Sequence, residues 1–135
     1  MHASRDELPE LLGAAIRGSD WGDLRSTVVS MPAGTDARPL FKGLPDDRCP
    51  APHWGYVIKG QVRIIYADRE EVLRAGDLYY LPSGHTAVVE EDFESVEFSP
   101  PAAHEQVLDV IKRNAAMAPT ATALSSLHSR LPPAR

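Results

Sequence analysis

Closely spaced turns divide the middle of the chain, from Trp54 to Phe98, into short extended runs. The turns fall at 59–60, 67–69, 75–77, 83–84 and 91–92, between runs rich in valine, isoleucine and tyrosine. Parallel strands need crossover connections of about a dozen residues, and the runs are too close together for them. The spacing therefore predicts an all-β fold, either a small antiparallel barrel or a sandwich.

The run 61–66 indicates how such a strand is oriented. Val62, Ile64 and Tyr66 alternate with the polar Gln61 and Arg63, so one face of the strand is predicted to be buried and the other wet. Ile65 interrupts the polar face. It favours contact of that face with a second sheet or a second subunit.

Helical patterns flank the β region. Ser4 and Glu7 have the spacing of a capping box, and leucine, alanine and isoleucine then recur every three or four residues up to Gly18. After residue 100 a second apolar stripe predicts another helix, with Lys112 and Arg113 in its last turn, where cations suit the helix dipole. We therefore divide the chain into an N-terminal helix and lead-in (1–25), a β-barrel (26–99), a C-terminal helix (100–117) and a flexible tail (118–135).

The composition of the 135 residues excludes several classes of partner. The net charge is −5 and lysine and arginine are not clustered, so nucleic acid has no basic surface to bind. No apolar run reaches the roughly 20 residues of a membrane span, and the N-terminus lacks the apolar core of a signal peptide. We therefore expect a cytoplasmic protein whose partner is a small molecule or a second copy of the chain.

A spaced set of glycine and proline residues links the chain to a family. Gly76, Pro82 and Gly84 are separated by five residues and then by one, and His85 and Ala87 follow. This pattern resembles the second motif of the cupin family, except that Ala87 stands where that motif has a histidine. The chain from about 28 to 98 resembles small single-domain bacterial cupins of unassigned function. The resemblance implies a compact antiparallel β-barrel of the jelly-roll type that forms a homodimer.

The first cupin motif keeps its spacing but changes its usual ligands. If Gly60 is its last glycine, then Asp47 and Cys49 occupy two histidine positions and His53 occupies the glutamate position. The resemblance implies one interior metal site, for which we predict Cys49, His53 and His85 as ligands and leave Asp47 open. A thiolate with two imidazoles suits zinc, whereas imidazole and carboxylate without the thiol suit iron, nickel or manganese. No organic cofactor is predicted.

Two functions remain open at this point. In the first, a divalent metal acts as a Lewis acid on a small oxygen-rich substrate, with oxygenase, isomerase, hydrolase or lyase chemistry. In the second, the barrel binds a small molecule or dimerises without metal, and the cysteine and both histidines are structural residues. No carboxylate stands at a spacing that would orient either histidine, and no catalytic residue is assigned. The histidines given no role are His2, His104 and His128.

Overall fold

The computed structural model describes residues 1–117, which form one antiparallel sheet and one C-terminal helix. The flexible tail predicted for residues 118–135 lies outside the described part of the chain. The strands are β1 (Glu10–Leu12), β2 (Ile16–Trp21), β3 (Leu24–Met31), β4 (His53–Ile65), β5 (Glu70–Arg74), β6 (Leu78–Leu81) and β7 (Thr86–Ser99), and the helix is α1 (Pro101–Met117). Short 3-10 turns cover Arg5–Glu7, Arg38–Phe41 and Pro45–Asp47.

Strands β4 and β7 form the centre of the sheet. The order is β1-β2-β3-β7-β4-β5, and β6 pairs with the first part of β4. All of these pairings are antiparallel, which confirms the predicted fold class. The hydrogen-bonded order has two ends, at β1 and β5, so the predicted barrel is an open one among the described residues.

Two of the predicted turns are not turns. Strand β4 continues through 59–60 and β7 continues through 91–92. Gly60 has a φ of 86°, and the β4–β7 register shifts on both sides of it, so the strands bend through a bulge rather than reversing. A Cβ at Gly60 would overlap the backbone of Asp92, which explains why glycine is needed there. The turns predicted at 67–69, 75–77 and 83–84 do separate strands.

The predicted N-terminal helix is wrong. The Ser4 amide donates to Glu7 Oε1 as in a capping box (3.0 Å), yet only one 3-10 turn follows. Proline after Leu8 favours an extended backbone at that leucine, and Gly13 turns the chain at a φ of 51°. Leu11 and Leu12 lie in β1 before this glycine, and Ile16 lies in β2 after it and pairs with β3, so sheet pairing outweighs the helical spacing.

Helix α1 lies where the C-terminal helix was predicted and covers one end of the sheet. Its apolar stripe packs with residues of β1, β2 and the 38–41 turn. Arg25 of β3 bonds to Glu105 (2.9 Å), and the Asn114 amide donates to the carbonyls of Leu40 and Lys42 (2.7 and 2.8 Å). These contacts hold the helix over a space that the inner face of the sheet encloses. No helix within residues 1–117 is long and apolar enough to cross a membrane.

Candidate functional site

Backbone hydrogen bonds bring the two halves of the site together. The Cys49 amide donates to the His85 carbonyl and the Gly84 amide donates to the Cys49 carbonyl, both at 2.8 Å. These two bonds hold Cys49, in the segment before β4, next to Gly84 and His85, in the turn before β7. His53 begins β4 four residues after the cysteine, so all three candidate ligands reach one place.

The side chains of Cys49, His53 and His85 are buried, and one ligand atom from each lies within 4.8 Å of the other two. Cys49 Sγ is 3.5 Å from His53 Nε2. His85 Nδ1 lies 2.8 Å from the Pro82 carbonyl oxygen, which only accepts, so Nδ1 carries the proton and Nε2 keeps its lone pair. The structure therefore brings the three predicted residues together, and their role as metal ligands stays a prediction.

Asp47 does not join this group. Its side chain is exposed, and its Oδ1 accepts a hydrogen bond from the Gly43 amide at 2.9 Å. The residue has a φ of 56° in a tight turn, where it stabilises its own loop. The fourth ligand left open in the sequence is thus absent from the cluster.

A carboxylate that the sequence did not reveal stands behind His53. His53 Nδ1 is 2.6 Å from Ser99 Oγ and 3.5 Å from Glu97 Oε1. The Tyr79 hydroxyl donates to Glu97 Oε2 at 2.7 Å. The alternation of side chains along β7 could have identified this carboxylate. Every second residue from Ala87 onward lies on the face that was predicted to be internal, and Glu97 is one of them.

His104 also belongs to the site, although the sequence placed it outside the barrel with no role. It lies in the first turns of α1, is only 4% exposed, and its ring centroid is 5.6 Å from that of His53. Its Nδ1 is buried and has no hydrogen-bond partner among the described residues. His104 shares the apolar stripe of α1 with Val107, Leu108 and Ile111, a spacing that would have identified it as buried.

Burial determines the protonation states in the site. It lowers the pKa of His53, His85 and His104 to about 4, because the charged imidazole loses its hydration. The same cause raises the pKa of the Cys49 thiol to about 12 and raises the pKa of Glu97. Neutral imidazoles with free lone pairs can bind a cation, and a cation would displace the thiol proton.

A cavity of about 130 Å³ adjoins these residues, between the inner face of the sheet and α1. The polar groups lie on part of its wall, and the rest of the wall is apolar. Apolar side chains from both layers line it, among them Ile64, Leu73, Val89, Val107, Leu108 and Ile111. The arrangement can hold an ion beside a small organic molecule.

Comparisons with known proteins identify the fold. No protein-family model and no curated protein matches the chain. Among solved structures, apo-HppE of the cupin superfamily superposes with a TM-score of 0.53 at 16% identity, over 73% of this chain and 57% of HppE. The chain has the cupin fold. At this identity the likeness establishes the fold, and the activity has to be argued from the chain's own residues.

Other proteins with the cupin fold align at lower scores. A Cupin 2 conserved barrel domain protein from Salinispora arenicola is 18% identical over 86% of this chain and 94% of its own, with a TM-score of 0.49. A single-residue variant of the oxalate decarboxylase of B. subtilis is 19% identical over 63% of this chain and 24% of its own, with a TM-score of 0.46.

Proposed function

We propose that the chain binds a transition metal ion through Cys49, His53 and His85, and that this ion binds or acts on a small organic molecule in the adjoining cavity. One observation carries the proposal: three atoms of the metal-ligating type converge within 4.8 Å in a buried site. The cavity beside them supplies the space for the organic molecule.

The donor atoms fit zinc. Bonds of about 2.3 Å to sulfur and 2.0 Å to nitrogen at a tetrahedral angle separate the two ligands by about 3.5 Å. The observed distance from Cys49 Sγ to His53 Nε2 is 3.5 Å. A thiolate with two imidazoles is a set that zinc accepts, and three protein ligands leave one position open, as in catalytic zinc sites. A zinc ion there would supply Lewis-acid chemistry to a molecule in the cavity.

The surrounding residues orient the two histidines. Ser99 and Glu97 lie at His53 Nδ1, which directs Nε2 toward the cysteine. The Pro82 carbonyl holds His85 in the same way. Groups that bind the far nitrogen of a metal-ligating histidine fix its ring and its tautomer.

A binding module without metal is the second candidate. It is favoured by the hydrogen-bonding options of the thiol, because Cys49 Sγ lies 3.5 Å from His53 Nε2 and 3.6 Å from the Ala51 carbonyl. Both groups can accept the S–H proton. In this function the cavity binds its ligand through the apolar walls, and the histidines contribute only hydrogen bonds.

Reconstitution of the chelated full-length protein with cobalt tests the first function. We expect about one cobalt ion per chain, with the intense sulfur-to-cobalt absorption that a thiolate ligand produces. Cys49→Ser should lose this absorption, and His53→Ala and His85→Ala should lose most of the metal. His2→Ala, an exposed histidine, is the control and should bind metal normally. A wild-type protein that retains no zinc or cobalt would contradict the proposal and leave the binding module.

We also infer that the chain forms a homodimer through the outer face of β4 and β6. The large apolar side chains exposed on this face are Trp54, Tyr56, Ile58, Leu78 and Tyr80. The pairing of the two strands sets Trp54 beside Tyr80 and Tyr56 beside Leu78. Contiguous exposed apolar patches of this kind are typical of protein interfaces.

A further inference from the structure

The residues that line the cavity limit the kind of molecule that it can bind. Within residues 1–117, the lining includes no lysine and no arginine, although arginines lie on the outside of the sheet. The acidic group that does line it is Glu97. A ligand with a carboxylate, phosphate or sulfate would therefore lose its hydration without meeting a cationic side chain in the wall.

A metal ion would not fully replace such a side chain. The Cys49 thiolate would already neutralise part of the charge of a divalent ion, and Glu97 lies on the far side of His53 at 3.5 Å. The thiolate would therefore weaken the attraction of the ion for a second anion in the same small space.

The imidazole of His104 offers a polar contact in the part of the wall that α1 forms, next to His53. It projects from α1 into the cavity lining, and its buried Nδ1 has no partner among the described residues. A buried polar group without a partner costs free energy, which a ligand atom can recover by hydrogen bonding to it. The rest of the α1 wall is apolar, with Val107, Leu108 and Ile111 as neighbours.

The size of the space limits the ligand further. A dry apolar cavity of about 150 Å³ holds a molecule as large as benzene. The cavity here measures about 130 Å³, close to that volume, so the ligand is limited to about one ring with at most a small substituent.

We infer that the cavity takes a small, uncharged, mainly apolar molecule with one polar group, which hydrogen-bonds to His104 beside the Cys49–His53–His85 group. The inference rests on the proposed function for the placement of that polar group next to a metal ion. The other features of the ligand are inferred from three observations. The walls are apolar, no basic residue within residues 1–117 lines the cavity, and the His104 imidazole has an unpartnered nitrogen.

Benzamide and benzoate test the charge preference, because they have nearly the same shape and differ in charge. Isothermal titration calorimetry on the zinc-loaded full-length protein should show that benzamide binds at least about tenfold more tightly than benzoate. Equal or tighter binding of benzoate overturns the inference, and so does failure of both benzamide and toluene to bind. Elemental analysis of the same samples and a parallel titration in chelator report separately on the metal. Protein that holds no metal but prefers benzamide therefore refutes the proposed function alone.

Variants of the wall test the location. His104→Leu should weaken benzamide binding roughly fivefold and leave toluene binding unchanged, and His104→Gln should restore part of the loss. Ala87→Leu or Ala37→Leu, each at a small lining residue, should reduce the binding of both molecules by filling the space. If one of these two variants does not fold, the other still tests the location. Unchanged binding of benzamide in His104→Leu, or in the folded filled-cavity variants, would show that the ligand binds elsewhere and overturn the inference.

Discussion

His53 is the residue on which the polar part of the site converges. One ring nitrogen faces the thiol of Cys49, and the other faces Ser99 and the Glu97 carboxyl. Its ring also packs edge-on against those of His85 and His104, with centroids 5.2 and 5.6 Å away. Three imidazoles at such distances are stable together only because burial keeps them neutral.

This neutrality predicts how the stability of the metal-free protein depends on pH. The three histidines have a pKa of about 4 in the folded chain and about 6.5 when unfolded. Between these values the unfolded chain binds more protons, so the free energy of unfolding should fall as the pH falls from about 6.5 to 4. The raised pKa of Glu97 acts in the opposite direction over part of this window, but it is one group against three.

A shift of this size is worth up to about 3 kcal/mol for each histidine, so we expect a loss of several kcal/mol across this window, measured by urea denaturation in the presence of chelator. The His104→Leu variant should show a shallower decline, because it lacks one of the three groups, and His2→Ala should match the wild type. A free energy of unfolding that is constant or rises toward pH 4 would contradict neutral burial of the histidines.

At the scale of elements, the site depends on how closely β4, β6 and β7 approach. Gly55 of β4 lies opposite Tyr79 of β6 and opposite Glu97 of β7. A Cβ there would overlap the Tyr79 ring and the Val96 carbonyl oxygen. The space that this glycine leaves beside His53 is therefore used by the tyrosine that donates to Glu97.

Gly55→Ala should destabilise the fold by about 1–3 kcal/mol, since the added methyl must displace the half-buried Tyr79 ring or a neighbouring strand. Urea denaturation checks the magnitude. Lys59→Ala, an exposed position on the same strand, is the matched control and should change stability by less than about 0.5 kcal/mol. An unchanged free energy of unfolding for Gly55→Ala would mean that the strands separate without cost and that Tyr79 is not held in place by them.

At the scale of the whole molecule, the inner and outer faces of the sheet differ in what covers them. The inner face is closed by α1 and by the chain around residues 38–49, with the cavity beneath. The outer face of β4 and β6 leaves Trp54 45% exposed and stacked on Tyr80 at 5.3 Å. Apolar surface of this kind is stabilised when a second chain removes it from water.

Sedimentation velocity at micromolar concentration should therefore find a particle of two chains. Trp54→Glu places a charge in the proposed interface and should yield a monomer. Trp21→Glu is the matched control, because this tryptophan is 38% exposed at the β2–β3 turn and lies outside the face of β4 and β6, and the variant should remain a dimer. A monomeric wild-type protein, or equal dissociation in both variants, would refute the dimer through this face.

The sequence by itself determined the features that depend on local periodicity and short spacing. Turns after Ile65, Arg74 and Leu81 and the alternation in β4 predicted an antiparallel β fold, and the apolar stripe predicted α1. The motif spacing also selected Cys49, His53 and His85, since residues beside fixed turns keep their positions in the fold. Each of these patterns can be recognised within a short stretch of the sequence.

Only the tertiary structure decided the features that depend on a distant partner. Residues 8–16 have helical spacing, yet β1 and β2 form there. Pairing of β1 with β2 and of β2 with β3 satisfies their backbone and buries Ile16 against the core. Glu97 and His104 enter the site only when β7 pairs with β4 and α1 closes over the sheet. Local spacing can show on which face Glu97 and His104 lie, but their contacts with His53 arise only from the packing of whole elements.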